Sequence, residues 1–170
     1  MEMKKKYVNN KQLYEVMKDY FERCQVARSE GKELPRVPNY VGECLLLIST
    51  RLANKPNFNG YSYKEEMIAD GIENSLMYIN NFDPNKSNNP FAYFTQIIKN
   101  SFIRRIEKEK KQHYIKIKNM QHYYMLDEIE GVDHPSIEAN EITDEFVRNF
   151  EKTLTNKKKS AKVGLNKFFN

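Results

Sequence analysis

The stretch "NNPFAYFTQIIKNSFIRRIEKEKK", residues 88–111, decides how the rest of the chain is read. Asn89 before Pro90 marks a helix start: asparagine caps the orphan N–H groups, and proline at the first helical position has no N–H to lose. Phe91, Phe94, Ile98, Phe102 and Ile106 recur at helical spacing, so one side of this helix belongs to a core. Tyr93, Gln96, Ile97, Lys99, Asn100, Arg104, Lys108 and Lys111 then fall on its outer sides. A helix that only closes a core needs none of these cations, and a solvated helix needs none of the aromatics. Cations neutralise phosphates and release counterions, and exposed aromatics stack on unpaired bases at about 1–3 kcal/mol each. A helix facing nucleic acid uses both. The plainer account is a solvated helix end whose lysines suit the C-terminal end of the helix dipole.

The same helical period extends upstream. Leu13, Val16, Met17, Tyr20, Phe21 and Cys24 predict a first helix from about Asn10 to Arg28, with Gly31 as its stop. After the loop "ELPRVPNY", Asn39 is expected to cap a second helix carrying Val41, Leu45, Ile48 and Leu52. Ser62 and Glu65 read as a capping box opening a third helix through about Asn80, with Ile68, Ile72, Leu76 and Ile79 as its buried face. At about 100° per residue, Glu66, Asp70, Glu73 and Met77 form a narrow stripe opposite that face. With six glycines and no long alternating β-branched run, the fold is expected to be all-α.

Downstream of about Met120 the pattern weakens. A fifth amphipathic helix is expected between Ser136 and Leu154, using Ile137, Ile142, Phe146, Val147 and Phe150. "TNKKKSAK" reads as a flexible connector to the terminal "VGLNKFFN". There Leu165, Phe168 and Phe169 form an L-x-x-F-F pattern, a short turn that puts three apolar anchors on one side for a partner's pocket. Folding back onto its own domain is the alternative for this end. The expected organisation is a helical domain over 1–120, an acidic-then-basic linker over 121–160 that includes the further helix, and a binding peptide over 161–170.

The 170 residues suffice for one domain with a core and a tail, and the charge of +5 with a pI near 9.0 favours a polyanionic partner. Its distribution says more than its total. Lys99, Arg104, Arg105, Lys108, Lys110, Lys111, Lys116 and Lys118 face only Glu107 and Glu109, whereas residues 127–145 carry carboxylates and no lysine or arginine. Cys24 and Cys44 stand apart with no CxxC, which points to a reducing cytoplasm. No apolar run is long enough for a membrane, and "MEMKKKYVNN" lacks the core of a signal peptide. A soluble, cytoplasmic protein is expected. His113, His122 and His134 have no cysteine partners and no H-x-x-x-H spacing, so no metal is expected. Glu65, Glu66 and Asp70 as a nuclease metal site lack a further carboxylate or a catalytic lysine. No phosphate-cradling glycine loop occurs. The expectation is a binding protein, with no cofactor and no catalytic residues.

Residues 64–111, "KEEMIADGIENSLMYINNFDPNKSNNPFAYFTQIIKNSFIRRIEKEKK", resemble conserved region 2 of bacterial sigma factors. The order matches: an acidic helix with E-M-I-A-D-G, then F-D, a polar loop, and an aromatic helix running into basic residues. "YVNNKQL" and "FNGYSYKEEMIADGIE" are similar to the late-transcription sigma factors of T4-type bacteriophages. The resemblance covers roughly residues 7–120. It implies that Glu66, Asp70, Glu73 and Met77 dock on the β′ clamp helices of host core RNA polymerase. It also implies that Phe91, Tyr93, Phe94, Ile97, Ile98, Lys99, Asn100 and Arg104, continued by Arg105, Lys108 and Lys111, bind the non-template strand of an AT-rich minus-ten element. The chain departs from primary sigma factors in having Ile97 and Ile98 where they carry paired tryptophans, and no tryptophan at all. Base stacking then falls to Tyr93 or Phe94, and melting is expected to need help, such as a late-transcription co-activator. After the region-2-like stretch no region-4-like helix-turn-helix is expected, so minus-35 recognition is expected to be missing. By the same resemblance, Leu165, Phe168 and Phe169 would bind the DNA sliding clamp, with the tether holding the complex near the promoter. Two alternatives stay open: a polymerase-binding co-activator or anti-sigma factor that does not read DNA, and a non-specific basic DNA-binding protein.

Overall fold

A computed structural model describes residues 7–129 and 144–156 of the chain. Their regular structure is entirely helical: α1 (Asn10–Ser29), α2 (Asn39–Ala53), α3 (Lys64–Met77), a 3-10 turn (Ile79–Asn81) and α4 (Pro90–Ile129). A further helix, α5, covers residues 144–156. The fold is all-α, as its periodicity predicts.

Local chemistry sets most helix ends. The Asn9 side chain accepts from the N–H groups of Lys11 and Gln12 at the start of α1, and Gly31 follows its end with φ of 66°. Asn89 Oδ1 accepts from Ala92 N–H at 3.0 Å and caps α4, with Pro90 as its first residue. Two expected caps are not formed. Asn39 is the first helical residue of α2, preceded by Pro38, and α3 begins after Tyr63 with no side-chain cap, so the Ser62–Glu65 box does not close. Tyr63 packs against the core and is itself the residue at the helix entry. At its other end α3 stops at Met77, ahead of the 3-10 turn.

The chain divides into two compact units, Met1–Ile106 and Glu107–Asn170. In the first, Leu13 and Met17 of α1, Val41 and Leu45 of α2, Met67 of α3, and Phe94, Ile98 and Phe102 of α4 are fully enclosed. The Phe102 ring meets Phe58 edge-on at 5.3 Å.

Helix α3 buries a different face from the expected one. Met67, Gly71 and Ser75 point inward, Ile68 and Ile72 are half-buried, and Leu76 is exposed. The physical reason is small size. A Cβ on Gly71 would lie 3.0 Å from both Ile98 Cγ2 and Phe102 Cε1 and 3.3 Å from Ser49 Oγ, so α3 approaches α2 and α4 through a residue without a side chain. Ser75 Oγ donates to the Gly71 carbonyl at 2.7 Å, so its hydroxyl is satisfied within the seam. The helix is therefore turned by about 100°, one residue's step, from the orientation its large apolar residues suggest.

In the second unit, α5 runs antiparallel to the later part of α4. Tyr114 stacks on Phe150 at 4.8 Å, and His113 meets Phe146 edge-on at the same distance. Tyr114 OH donates to Glu151 at 2.9 Å, Lys118 pairs with Glu151 at 3.2 Å, and Gln121 donates to Asp144 at 2.9 Å. The pairing follows α4 as far as Gln121, where its own apolar pattern fades. Helix α5 falls within the stretch where a fifth helix is expected, with Phe146, Val147 and Phe150 on it. Ile137, Ile142 and the anchors Leu165, Phe168 and Phe169 lie outside the described residues.

Candidate nucleic-acid and protein interface

Tyr93, Ile97, Asn100 and Arg104 are spaced four, three and four residues apart, and they line one open groove on α4. Tyr78, at the C-terminal cap of α3, completes it. The groove holds about 260 Å³, below the roughly 300–1,000 Å³ of enclosing small-molecule pockets. Tyr93 OH donates to the Tyr78 carbonyl at 2.8 Å, and its ring lies 5.4 Å from that of Phe82. Burial pushes the Tyr93 phenol above its ordinary pKa, so it stays a neutral donor. Gln96 donates to Asn100 Oδ1 at 2.9 Å, which leaves the Asn100 amide nitrogen to donate. Arg104 Nη2 donates to Asn74 Oδ1 at 2.8 Å. Two aromatic rings, an apolar side chain, an amide and a guanidinium together match the chemistry of a base with its phosphate.

Other residues expected at this surface lie elsewhere. Phe94 is 0% exposed, in the core cluster with Ile98 and Phe102, so it cannot stack on a base. Ile98 is enclosed as well. Phe91 is 40% exposed but lines a separate small pocket with Val8, Ile48, Leu52 and Thr95. On α4 it lies on roughly the opposite side from Tyr93, since two residues advance the helix by about 200°. Lys99 is exposed outside the groove. Lys108 and Lys111 are exposed and belong to the second unit, where Lys111 borders a cavity with Lys110, Phe150 and Leu154.

The acidic stripe is also divided. Glu66, Glu73 and Met77 are exposed, Met77 at 64%. Asp70 instead faces α4, where its two oxygens accept from Arg105 Nε at 2.6 Å and Nη2 at 2.7 Å. The side chains are 27% and 18% exposed. A bidentate pair so enclosed ties α3 to α4 and occupies both charges. Asp70, expected at a polymerase surface, and Arg105, expected at a DNA surface, are paired with one another. The turn of α3 through Gly71 is the cause. Asp70→Asn is expected to lower the unfolding free energy by about 2–3 kcal/mol in a urea titration, whereas Glu66→Gln changes it by less than about 0.5 kcal/mol.

Two residues of this surface carried no sequence signal strong enough to single them out. Tyr78 sits where a helix ends, outside any periodic stripe. Asn74 reads as one more polar residue of α3, yet its side chain joins Asp70, Ser101 and Arg104. No group of His, Cys, Asp and Glu among the described residues forms a metal-binding cluster. No described helix is long and apolar enough to cross a membrane. No protein-family model matches the sequence, and no curated protein matches it.

Proposed function

We propose that the chain is a sigma-factor-like subunit, a binding protein with no catalytic role, that brings core RNA polymerase to AT-rich minus-ten promoter elements in the cytoplasm of a phage-infected cell. The observation that carries this reading is the groove of Tyr78, Tyr93, Ile97, Asn100 and Arg104 on the same unit as the exposed Glu66, Glu73 and Met77 of α3. One surface is chemically suited to the non-template strand and the other to a basic protein surface such as the β′ clamp helices. Leu165, Phe168 and Phe169 serve as the sliding-clamp anchors of the same reading, and a late-transcription co-activator assists melting.

A co-activator or anti-sigma factor that binds polymerase without reading DNA is the second reading. It draws support from Tyr93, whose hydroxyl and ring are already engaged by Tyr78 and Phe82.

The test is transcription by host core polymerase on a supercoiled template with an AT-rich minus-ten element and no minus-35 element. Glu66→Lys with Glu73→Lys is expected to weaken polymerase binding by about tenfold or more and to leave the melting temperature unchanged. Asp70 is unsuitable for this purpose because of its pair with Arg105. Arg104→Ala with Tyr78→Ala is expected to abolish the defined start while retaining polymerase binding. Polymerase binding by the parent chain without a defined start would favour the second reading. Sliding clamp should stimulate the intact chain, with no stimulation after removal of residues 163–170.

A further inference from the structure

Two adjacent arginines of α4 meet α3 in different ways. Arg105 reaches a carboxylate, Asp70, with two hydrogen bonds. Arg104 reaches a neutral amide oxygen, Asn74 Oδ1, with one. The orientation of that amide is set by its other end. Asn74 Nδ2 donates to the Asp70 carbonyl at 2.7 Å and to Ser101 Oγ at 3.2 Å, and Ser101 is buried. With the nitrogen directed to two acceptors, the oxygen is the end that faces the guanidinium; the flipped amide would set donor against donor.

We propose that Asn74 is a positioning residue: it holds Arg104 at the groove without neutralising it, so that Arg104 presents its charge to a nucleic-acid phosphate while Arg105 is kept as a strut. This deepens the proposed function and rests on its reading of the groove as a nucleic-acid surface. The physical basis is the difference between an amide and a carboxylate of nearly the same shape. An amide acceptor restricts the rotamers of a long side chain, so less freedom is lost on binding. It leaves the positive charge whole and the rest of the planar N–H fork able to meet a phosphate. A carboxylate in the same place would turn Arg104 into a second Arg105.

The measurement is fluorescence anisotropy of the full-length chain with a labelled, AT-rich single-stranded oligonucleotide over a series of salt concentrations. Arg104→Ala is expected to weaken binding and to make the log–log salt slope shallower by about 0.7, the share of one phosphate contact on a single strand. Asn74→Asp is expected to reproduce both effects with Arg104 still present. Asn74→Ala should weaken binding by about 3–10-fold with an unchanged slope. Combined with Arg104→Ala, it should add nothing further. A purely structural role for Asn74 would lower the melting temperature without moving the slope. Asn74→Asp keeps the side-chain outline but sets a carboxylate oxygen against the Asp70 carbonyl in place of Nδ2, so its melting temperature is read beside its slope, and it remains informative if the alanine variant unfolds. The inference is overturned if Arg104→Ala loses affinity while Asn74→Asp matches the parent chain in affinity and slope. If Arg104→Ala itself binds like the parent, or the parent shows no salt-dependent binding, the reading of the groove fails and the role of Asn74 goes with it.

Discussion

Gly71→Leu unfolds the first unit at a much lower urea concentration than the parent chain, with an expected loss of about 2–4 kcal/mol. Three helices converge on this residue. The first carbon of any side chain there already stands 3.0 Å from Ile98 Cγ2 and Phe102 Cε1, and both of those residues are fully enclosed. The remaining leucine carbons can be accommodated only by moving α3 away from α2 and α4, which would also strain the Asp70–Arg105 pair. Leaving glycine raises helix propensity by about 1 kcal/mol, and this offsets only part of the overpacking. Gly71→Ala separates the two terms, since a single methyl sets that gain against a few tenths of an ångström of adjustment. Circular dichroism through the urea transition reads both variants. An unchanged midpoint for Gly71→Leu would falsify the close approach of α3 to its neighbours.

Phe94→Ala is the second large effect, at about 3–5 kcal/mol. Its ring is 0% exposed, lies 5.2 Å from Tyr93 and belongs to the core cluster with Ile98 and Phe102. Truncation leaves a cavity within that buried cluster. Phe94→Leu should recover most of the stability, because the space stays filled with apolar atoms. It should also keep the affinity for single-stranded DNA, which a base-stacking role for Phe94 would not allow. Tyr78→Ala provides the opposite pattern: a change of stability under about 1 kcal/mol together with a loss of DNA affinity.

Much of the groove could be read from the sequence because a helix repeats itself. Once Asn89 and Pro90 mark the start of α4, the positions of Tyr93, Ile97, Asn100 and Arg104 follow from the period alone. What could not be read depends on partners from distant parts of the chain. Phe91 and Phe94 fit the same core stripe, but only Phe94 lies where other helices cover it. Arg104 and Arg105 are indistinguishable as neighbouring cations until the turn of α3 brings Asn74 to one and Asp70 to the other. That turn was hidden because its cause is Gly71 and Ser75, which are too small to register as a hydrophobic face. Of the acidic stripe, Glu66, Glu73 and Met77 are exposed, while Asp70 between them faces α4.

The long-range ties of α1 bear on how the chain is made. Phe91 N–H donates to Asn10 Oδ1 across 81 residues of sequence, and Tyr14 OH donates to the Pro84 carbonyl across 70. Helical proteins usually fold through near neighbours, but this unit cannot close until the start of α4 has been synthesised. At about 5–20 residues per second, α1 waits roughly 4–16 s for that partner. Through that interval Leu13, Met17 and Tyr20 lack part of their final cover. Nascent-chain chaperones and self-association then compete with folding, so the yield of active protein depends on translation speed across residues 54–90 as well as on the stability of the finished domain.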